Sequence, residues 1–381
     1  MRRAVLWVIL AFLAASSAYA AAAPAVEEAA APQTTAREVP APVEQKKDGL
    51  LLPAVPIVAY SRETNFLFGV MMVRAHRWKD AAATTRPNTI AVSGFYSLEN
   101  QWALGFAPSV YLQGEDYLIK SQAYVHRTPA RFWGVGNEAG EHGTREDFTA
   151  SGNGLTFAVT KKVFRSLRIG PGLWYGSSDI PIQEAGGLLE RKAVNGSDGG
   201  TDVGVELQAE WDGRDNIYAP STGTFLQFWA GLHRDYLGSD FDYEDYLLDV
   251  RRYIPVAAGQ VLALQARMRV MNGDPPFYRL PNIGGIMVMR GLYEGRFRDK
   301  TMAAVQAEYR FPIWKSVGGA LFVGVGEVAD RPADLSLANL QLTGGVGLRI
   351  MLDPKERINL RLDLGFSKYD TAPILVITEA F

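Results

Sequence analysis

The side chains able to do chemistry in this 381-residue sequence are few, and their spacing argues against catalysis. Four histidines, His76, His126, His142 and His233, stand apart without metal-ligand spacing, and cysteine is absent. Zinc–thiolate sites, disulfides and a cysteine nucleophile are therefore excluded. No Gly-x-Ser-x-Gly turn is present to lift a serine above a sheet. A serine, histidine and aspartate brought together from separate strands would leave no spacing signature, and nothing here favours that arrangement. The glycine clusters Gly134 to Gly140 and Gly344 to Gly347 lie outside any strand–turn–helix unit, so they read as turns and bends rather than phosphate cradles. No enzyme activity, metal ion or cofactor is expected.

The unusual chemistry lies in residues 284–299, GGIMVMRGLYEGRFRD. Apolar Ile286, Met287, Val288 and Met289 stand directly before Arg290 and Gly291, with Tyr293, Arg296 and Arg298 behind them. A guanidinium in a water-poor place is costly unless a carboxylate receives its fork of donors, and then the fork fixes one pose. Gly291 permits the sharp turn such a pose needs. The mixture suits a loop that folds into an interior and fastens Arg290 to an acid.

The start of the chain says where that interior would be. Arg2 and Arg3 precede an apolar run from Ala4 to Ala15 and the small-x-small pattern Ala18-Tyr19-Ala20. Residues 1–20 read as a cleaved signal peptide. Residues 21–50, rich in Ala, Pro and Glu, read as a disordered periplasmic linker. No later run approaches the length of a transmembrane helix. Charges of both signs are interspersed at a net −2, with no polybasic block, which sets nucleic acid aside as a partner.

From Pro56 onward the apolar pattern repeats every two residues. In Glu356 to Tyr369, for example, Ile358, Leu360, Leu362, Leu364 and Phe366 alternate with Arg357, Asn359, Arg361, Asp363, Gly365 and Ser367. Thr201 to Asp212 and Met302 to Phe311 divide the same way. About sixteen strands fit residues 51–381, an even count that returns both ends to one side. Connections after even-numbered strands are mostly tight, as at Gln113 to Asp116, Val256 to Gly259 and Asp353-Pro354. Several after odd-numbered strands are long: Thr128 to Asp147, Ser178 to Gly200 and Asn272 to Lys300. Short turns on one side and long loops on the other predict an all-β, transmembrane antiparallel β-barrel in the outer membrane of a Gram-negative bacterium. Lys79 to Asn88 is a longer periplasmic turn than that pattern predicts. Outer-membrane lipid and lipopolysaccharide are the expected surroundings, and Phe381, closing the last strand, reads as a C-terminal assembly signal.

Three stretches then resemble one family. WDGRDNIYAPSTGTFLQF, from Trp211, resembles the Arg-Asp-Asn, Pro, Thr-Gly turn of the bacterial surface antigen family, the group of the BamA- and TamA-type barrels; its residues here are Asp212, Arg214, Asp215, Asn216, Pro220 and Gly223. RFWGVGNEAG, from Arg131, resembles that family's aromatic-Gly-x-Gly-Asn loop. GGIMVMRGLYEGRFRD resembles its sixth extracellular loop, whose Arg-Gly-aromatic tip turns back into the lumen, with Leu292 here between Gly291 and Tyr293. The resemblance makes Glu308 the acidic partner of Arg290. Where the family usually carries an Asp on the following strand this chain has Gly324, and Asp363, on the polar face of a later strand, is the substitute. The alternative for Arg290, Arg296 and Arg298 is a solvated cationic rim on lipopolysaccharide phosphates; the turn at Gly291 favours the lumen for Arg290, while Arg296 and Arg298 fit either place.

The resemblance implies outer-membrane protein assembly or translocation, with unfolded outer-membrane proteins and periplasmic partners. The family's POTRA domains have no room in residues 21–50, so those partners are expected to be separate. The alternative is a passive pore or structural barrel. Pro53, Pro56 and Pro373 fall at the seam between first and last strands, where each removes a ladder donor; they either weaken the seam or sit harmlessly at a strand start.

Overall fold

The computed structural model describes residues 54–76, 78, 88–354, 357–377 and 379–381. The signal peptide, the linker, Pro53 and all of the Lys79 to Asn88 turn except Asn88 lie outside the described residues.

Alternation becomes a barrel because both faces of each strand find a suitable medium. The strands are β1 (Ala54–Ser61), β2 (Asn65–His76), β3 (Asn88–Ser97), β4 (Trp102–Leu112), β5 (Tyr117–Phe132), β6 (Glu146–Phe164), β7 (Leu167–Gln183), β8 (Gly199–Asp212), β9 (Gly223–His233), β10 (Tyr243–Ala257) and β11 (Gln260–Gly273). After them come two short strands, β12 (Asn282–Ile283) and β13 (Phe297–Arg298), then β14 (Thr301–Trp314), β15 (Val317–Ala329), β16 (Gln341–Asp353), β17 (Ile358–Ser367) and β18 (Thr371–Ile377). All but β12 and β13 form one closed antiparallel barrel of sixteen strands, in which β11 pairs directly with β14 and β18 with β1. Closure gives every strand a neighbour on both sides, the condition for crossing hydrocarbon with strands, though the pairing is sparse where β18 meets β1.

The apolar sides face outward. Leu207, Leu104 and Val305 are exposed on the wall, while Gln306 and Glu308, on the same strand as Val305, are buried inside. The core is thus inverted: lipid covers the apolar face, and the packed interior is ionic and aromatic.

Two features depart from the predicted strand ends. β5 and β7 run several residues further outward than expected, to Phe132 and Gln183, and β6 starts at Glu146 rather than Phe148. That extension is held by Phe132 and Phe148, whose rings pack edge-on against Phe277, with centroids 5.1 and 5.3 Å away. Part of what resembled loop is therefore sheet, and the helix α1 (Asn137–His142) that follows β5 packs against β13, with Gly140 against the Phe297 ring. The last strand was expected to reach Phe381 and instead ends at Ile377.

Among the described residues the seam between β1 and β18 registers through one pair, Tyr60 with Leu375. β17 and β18, by contrast, register continuously from Leu360 with Ile377 to Phe366 with Thr371. Pro56 and Pro373 both lie on the outward face beside this sparse boundary.

Candidate functional site in the lumen

The connection from β11 to β14 enters the barrel instead of standing outside it. Within it β12 and β13 form a small antiparallel ribbon, Asn282 with Arg298 and Ile283 with Phe297. Ile283 and Phe297 of the ribbon, with Val288, Met289 and Leu292 beyond it, pack with Met302, Ala304 and Val328 of the wall. The apolar half of GGIMVMRGLYEGRFRD is thus the loop's own core. Met289 takes a left-handed backbone (φ 54°), and its N–H donates to Gln306 Oε1 at 2.7 Å.

Arg290 follows and is 1% exposed. Its Nη1 donates to Asp363 Oδ2 and its Nη2 meets Glu308 Oε2, both at 2.5 Å. The guanidinium carbon lies 3.7 Å from the centre of the Phe322 ring. One fork therefore bridges carboxylates on β14 and β17 while an aromatic face covers it, an arrangement a lysine point charge cannot reproduce. At Gly324, a Cβ would lie 3.0 Å from Thr343 Oγ1 and 3.4 Å from Met289 Cγ. Met289 fills the space an acid there would need, and Asp363 is the acid within reach.

Tyr293 does not join this cluster. Its ring packs against Trp133 at 5.2 Å and lies under the Arg131 guanidinium at 4.9 Å, which joins the loop to the RFWGVGNEAG stretch. Arg296 donates from Nε to Gly140 O at 2.9 Å and covers the Tyr369 ring at 4.1 Å. Arg298 is buried, with Nε donating to Gly295 O at 3.0 Å. None of Arg290, Arg296 and Arg298 stands on a solvated cationic rim: Arg296 meets Gly140 O and the Trp133 and Tyr369 rings, and Arg298 meets Gly295 O and the Phe132 ring. Burial holds the Arg298 group down to about 10. The neighbouring Glu294 is pushed up to about 8, by burial and then by Glu63, whose Oε1 accepts the Glu294 N–H at 3.0 Å.

The turn between β8 and β9 is built by its own side chains. Asp212 receives Arg214 through two bonds, Nε at 2.9 Å and Nη2 at 2.8 Å. Asn216 Oδ1 accepts the N–H groups of Tyr218 and Ala219, each at 2.8 Å. Asp215 accepts from Ser221 Oγ at 2.5 Å, Thr222 N at 3.0 Å and Arg357 Nη1 at 2.6 Å. Burial would raise that carboxyl, but these donors hold it below the ordinary carboxylate range. Gly223 adopts φ 112°, and a Cβ there would come within 2.2 Å of Gly213 O.

A family model, the Omp85 superfamily domain, matches residues 86–377. The chain belongs to the Omp85 superfamily. Among solved structures the barrel is similar to BamA from Haemophilus ducreyi lacking POTRA domains 1–3, at a TM-score of 0.62 and 14% identity, over 84% of this chain and 69% of that one. It is also similar to CdiB from Escherichia coli, at 0.59 and 11%, over 86% and 63%, and to CdiB from Acinetobacter baumannii, at 0.53 and 13%, over 84% and 58%. The chain thus spans less than two thirds of either CdiB chain. No curated protein is significantly similar to it in sequence. The Omp85 barrel is an outer-membrane structure of Gram-negative bacteria, and no POTRA domain stands among the described residues here.

In this Omp85 barrel the charge network is wider than the residues singled out from sequence. Arg349 Nη1 donates to Asp363 Oδ1 at 2.6 Å and its Nε to Glu379 Oε2 at 2.7 Å. Arg310 Nε donates to Glu308 Oε1 at 2.6 Å. Arg361, fully buried, donates from Nη2 to Ile286 O at 3.0 Å. The two-residue period already places Arg310, Arg349 and Arg361 on lumenal faces; which acid each one meets depends on barrel closure. Phe381 is also displaced from its expected place. It packs in the lumen with Tyr253, Val261 and Ala263 rather than closing a lipid-facing strand.

Proposed function

We propose that this barrel acts in outer-membrane protein assembly or translocation, receiving unfolded outer-membrane proteins from separate periplasmic partners. The observation that carries the reading is the seam, where Tyr60 and Leu375 form the single registered pair among the described residues. A ladder hydrogen bond contributes about 1 kcal/mol net, so the sparsest strand boundary is the cheapest one to open sideways into lipid. Pro56 and Pro373, which have no backbone N–H to donate, stand on the two strands that meet there. Membership of the Omp85 superfamily supports the same reading.

In this reading loop six keeps the lumen closed while the seam works. Arg290 is its anchor, Glu308 and Asp363 are the receiving acids, Gly291 gives the turn and Tyr293 ties the loop to Trp133. The test is to reconstitute the purified protein in liposomes and follow the folding of a second barrel beside ion conductance. Acceleration of that folding is expected. Steady conductance with no acceleration would sink the proposal and leave a passive pore.

A further inference from the structure

The turn between β8 and β9 has a construction that its role as a connection does not require. Ile217 and Tyr218 are buried at its tip, and they pack with Ile358 of β17. β9 and β17 are not neighbours; β10, β11, β14, β15 and β16 stand between them around the wall. The turn therefore crosses the periplasmic mouth, and the Asp215–Arg357 ion pair at 2.6 Å lies at the far side of that crossing. Residues 379–381 make a second crossing. They follow β18, yet Phe381 packs on Tyr253 of β10 and Val261 of β11.

One side chain touches both crossings and the anchor of loop six. Arg310 Nη2 donates to Phe381 O at 2.8 Å, Nη1 to Pro220 O at 3.5 Å, and Nε to Glu308 Oε1 at 2.6 Å. Glu308 is the same carboxylate that receives Arg290. Arg349 makes a parallel link from Asp363 to Glu379. A carboxylate shared between two guanidiniums couples their positions, because losing one donor changes what the other must satisfy.

We propose that the β8–β9 turn and residues 379–381 form a periplasmic strap over the barrel mouth, mechanically coupled through Arg310 to loop six, so that freeing the strap loosens the loop. The proposal goes beyond the assembly reading and holds for an insertase or a pore alike.

The absence of cysteine makes the test direct. Two single-cysteine reporters, Met287→Cys in loop six and Ala219→Cys in the strap, are placed in the full chain in nanodiscs and labelled with a soluble maleimide. Ile217→Asn, which breaks the apolar contact with Ile358, is expected to speed labelling severalfold at both reporters. Arg310→Met is expected to speed both alone, after which Ile217→Asn adds to the strap reporter only. Heat-modifiable gel mobility identifies folded barrels. Should Arg310→Met fail to fold, Arg310→Lys keeps a charge at Glu308 while losing the fork to Pro220 and Phe381. With Arg310 intact, faster labelling by Ile217→Asn at Ala219→Cys with Met287→Cys unchanged overturns the coupling. No change at Ala219→Cys overturns the strap.

Discussion

Gly291 of loop six and Gly365 of β17 meet backbone to backbone. A Cβ on Gly291 would lie 2.7 Å from Phe366 N and O, and one on Gly365 would lie 2.7 Å from Gly291 N. Ser367 Oγ closes the contact by donating to Gly291 O at 2.8 Å. Gly291→Ala also meets an unfavourable φ of 113°, a strain of about 1–2 kcal/mol before any clash. Both Gly291→Ala and Gly365→Ala are expected to unseat loop six, read as faster proteolysis within residues 284–299 and higher conductance. Gly114→Ala is the control: its φ is 65° but nothing lies within 4 Å of an added Cβ. Equal effects from Gly114→Ala and Gly365→Ala would mean that close approach is not what seats the loop.

Arg290→Ala strips one guanidinium from two buried carboxylates. Breaking a buried pair this way typically costs about 3–5 kcal/mol, and the remaining Arg310 and Arg349 put the expected loss at the lower end. Lower urea midpoint, quicker cleavage of loop six and larger conductance are the expected readings. Arg290→Lys is expected to recover little, since it cannot bridge Asp363 and Glu308 together. Unchanged loop proteolysis in Arg290→Ala would remove the anchor role.

The seating of loop six should also depend on pH through Glu294. Its carboxyl is raised to about 8 by burial and by Glu63, with Arg298 partly opposing the shift. The seated loop thus holds a proton that a free glutamate gives up in the ordinary carboxylate range. Its stability is full at acid pH, declines as pH rises toward about 8, and falls no further once Glu294 is ionised in both states. Loop six is expected to be cleaved more slowly at pH near 6 than near 8.5, with Glu294→Gln flat between them. A wild-type slope of opposite sign would refute this assignment.

Tyr60 and Leu375 are directly opposed across the seam. Opposed antiparallel residues have Cα atoms about 4.5–5.5 Å apart, within the span of a disulfide. In this cysteine-free chain the Tyr60→Cys/Leu375→Cys pair is expected to cross-link on oxidation, abolish acceleration of a second barrel's folding, and regain it on reduction. Full acceleration by the oxidised form would mean that the seam does not open in the reaction.

The wall was legible in the sequence because it is periodic. In β17, the split between Leu362 and Leu364 outside and Arg361 and Asp363 inside follows from a period of two, and inward Glu308 on β14 follows in the same way. The features that were not legible lack a period. Ile217 and Tyr218 sit in a turn, and the Asp215–Arg357 pair joins residues 142 apart. β5 and β6 overran their expected ends because Phe277, far along the chain, supplies the aromatic packing that keeps sheet stable above the membrane. Phe381 ended a plausible strand, yet an arginine and an apolar corner in the lumen hold it elsewhere.

The inverted core has a consequence for the order in which the chain matures. Arg290 is separated by 73 residues from Asp363, which lies on the penultimate wall strand. Until that strand has been laid down, loop six lacks one of its two acids, and Gly291 lacks the backbone it rests on. Seating the loop therefore waits on the penultimate strand, and an intermediate that lacks it is an unclosed sheet with the loop unseated. Nascent copies caught before completion would be expected to leak, and the finished protein to be quiet.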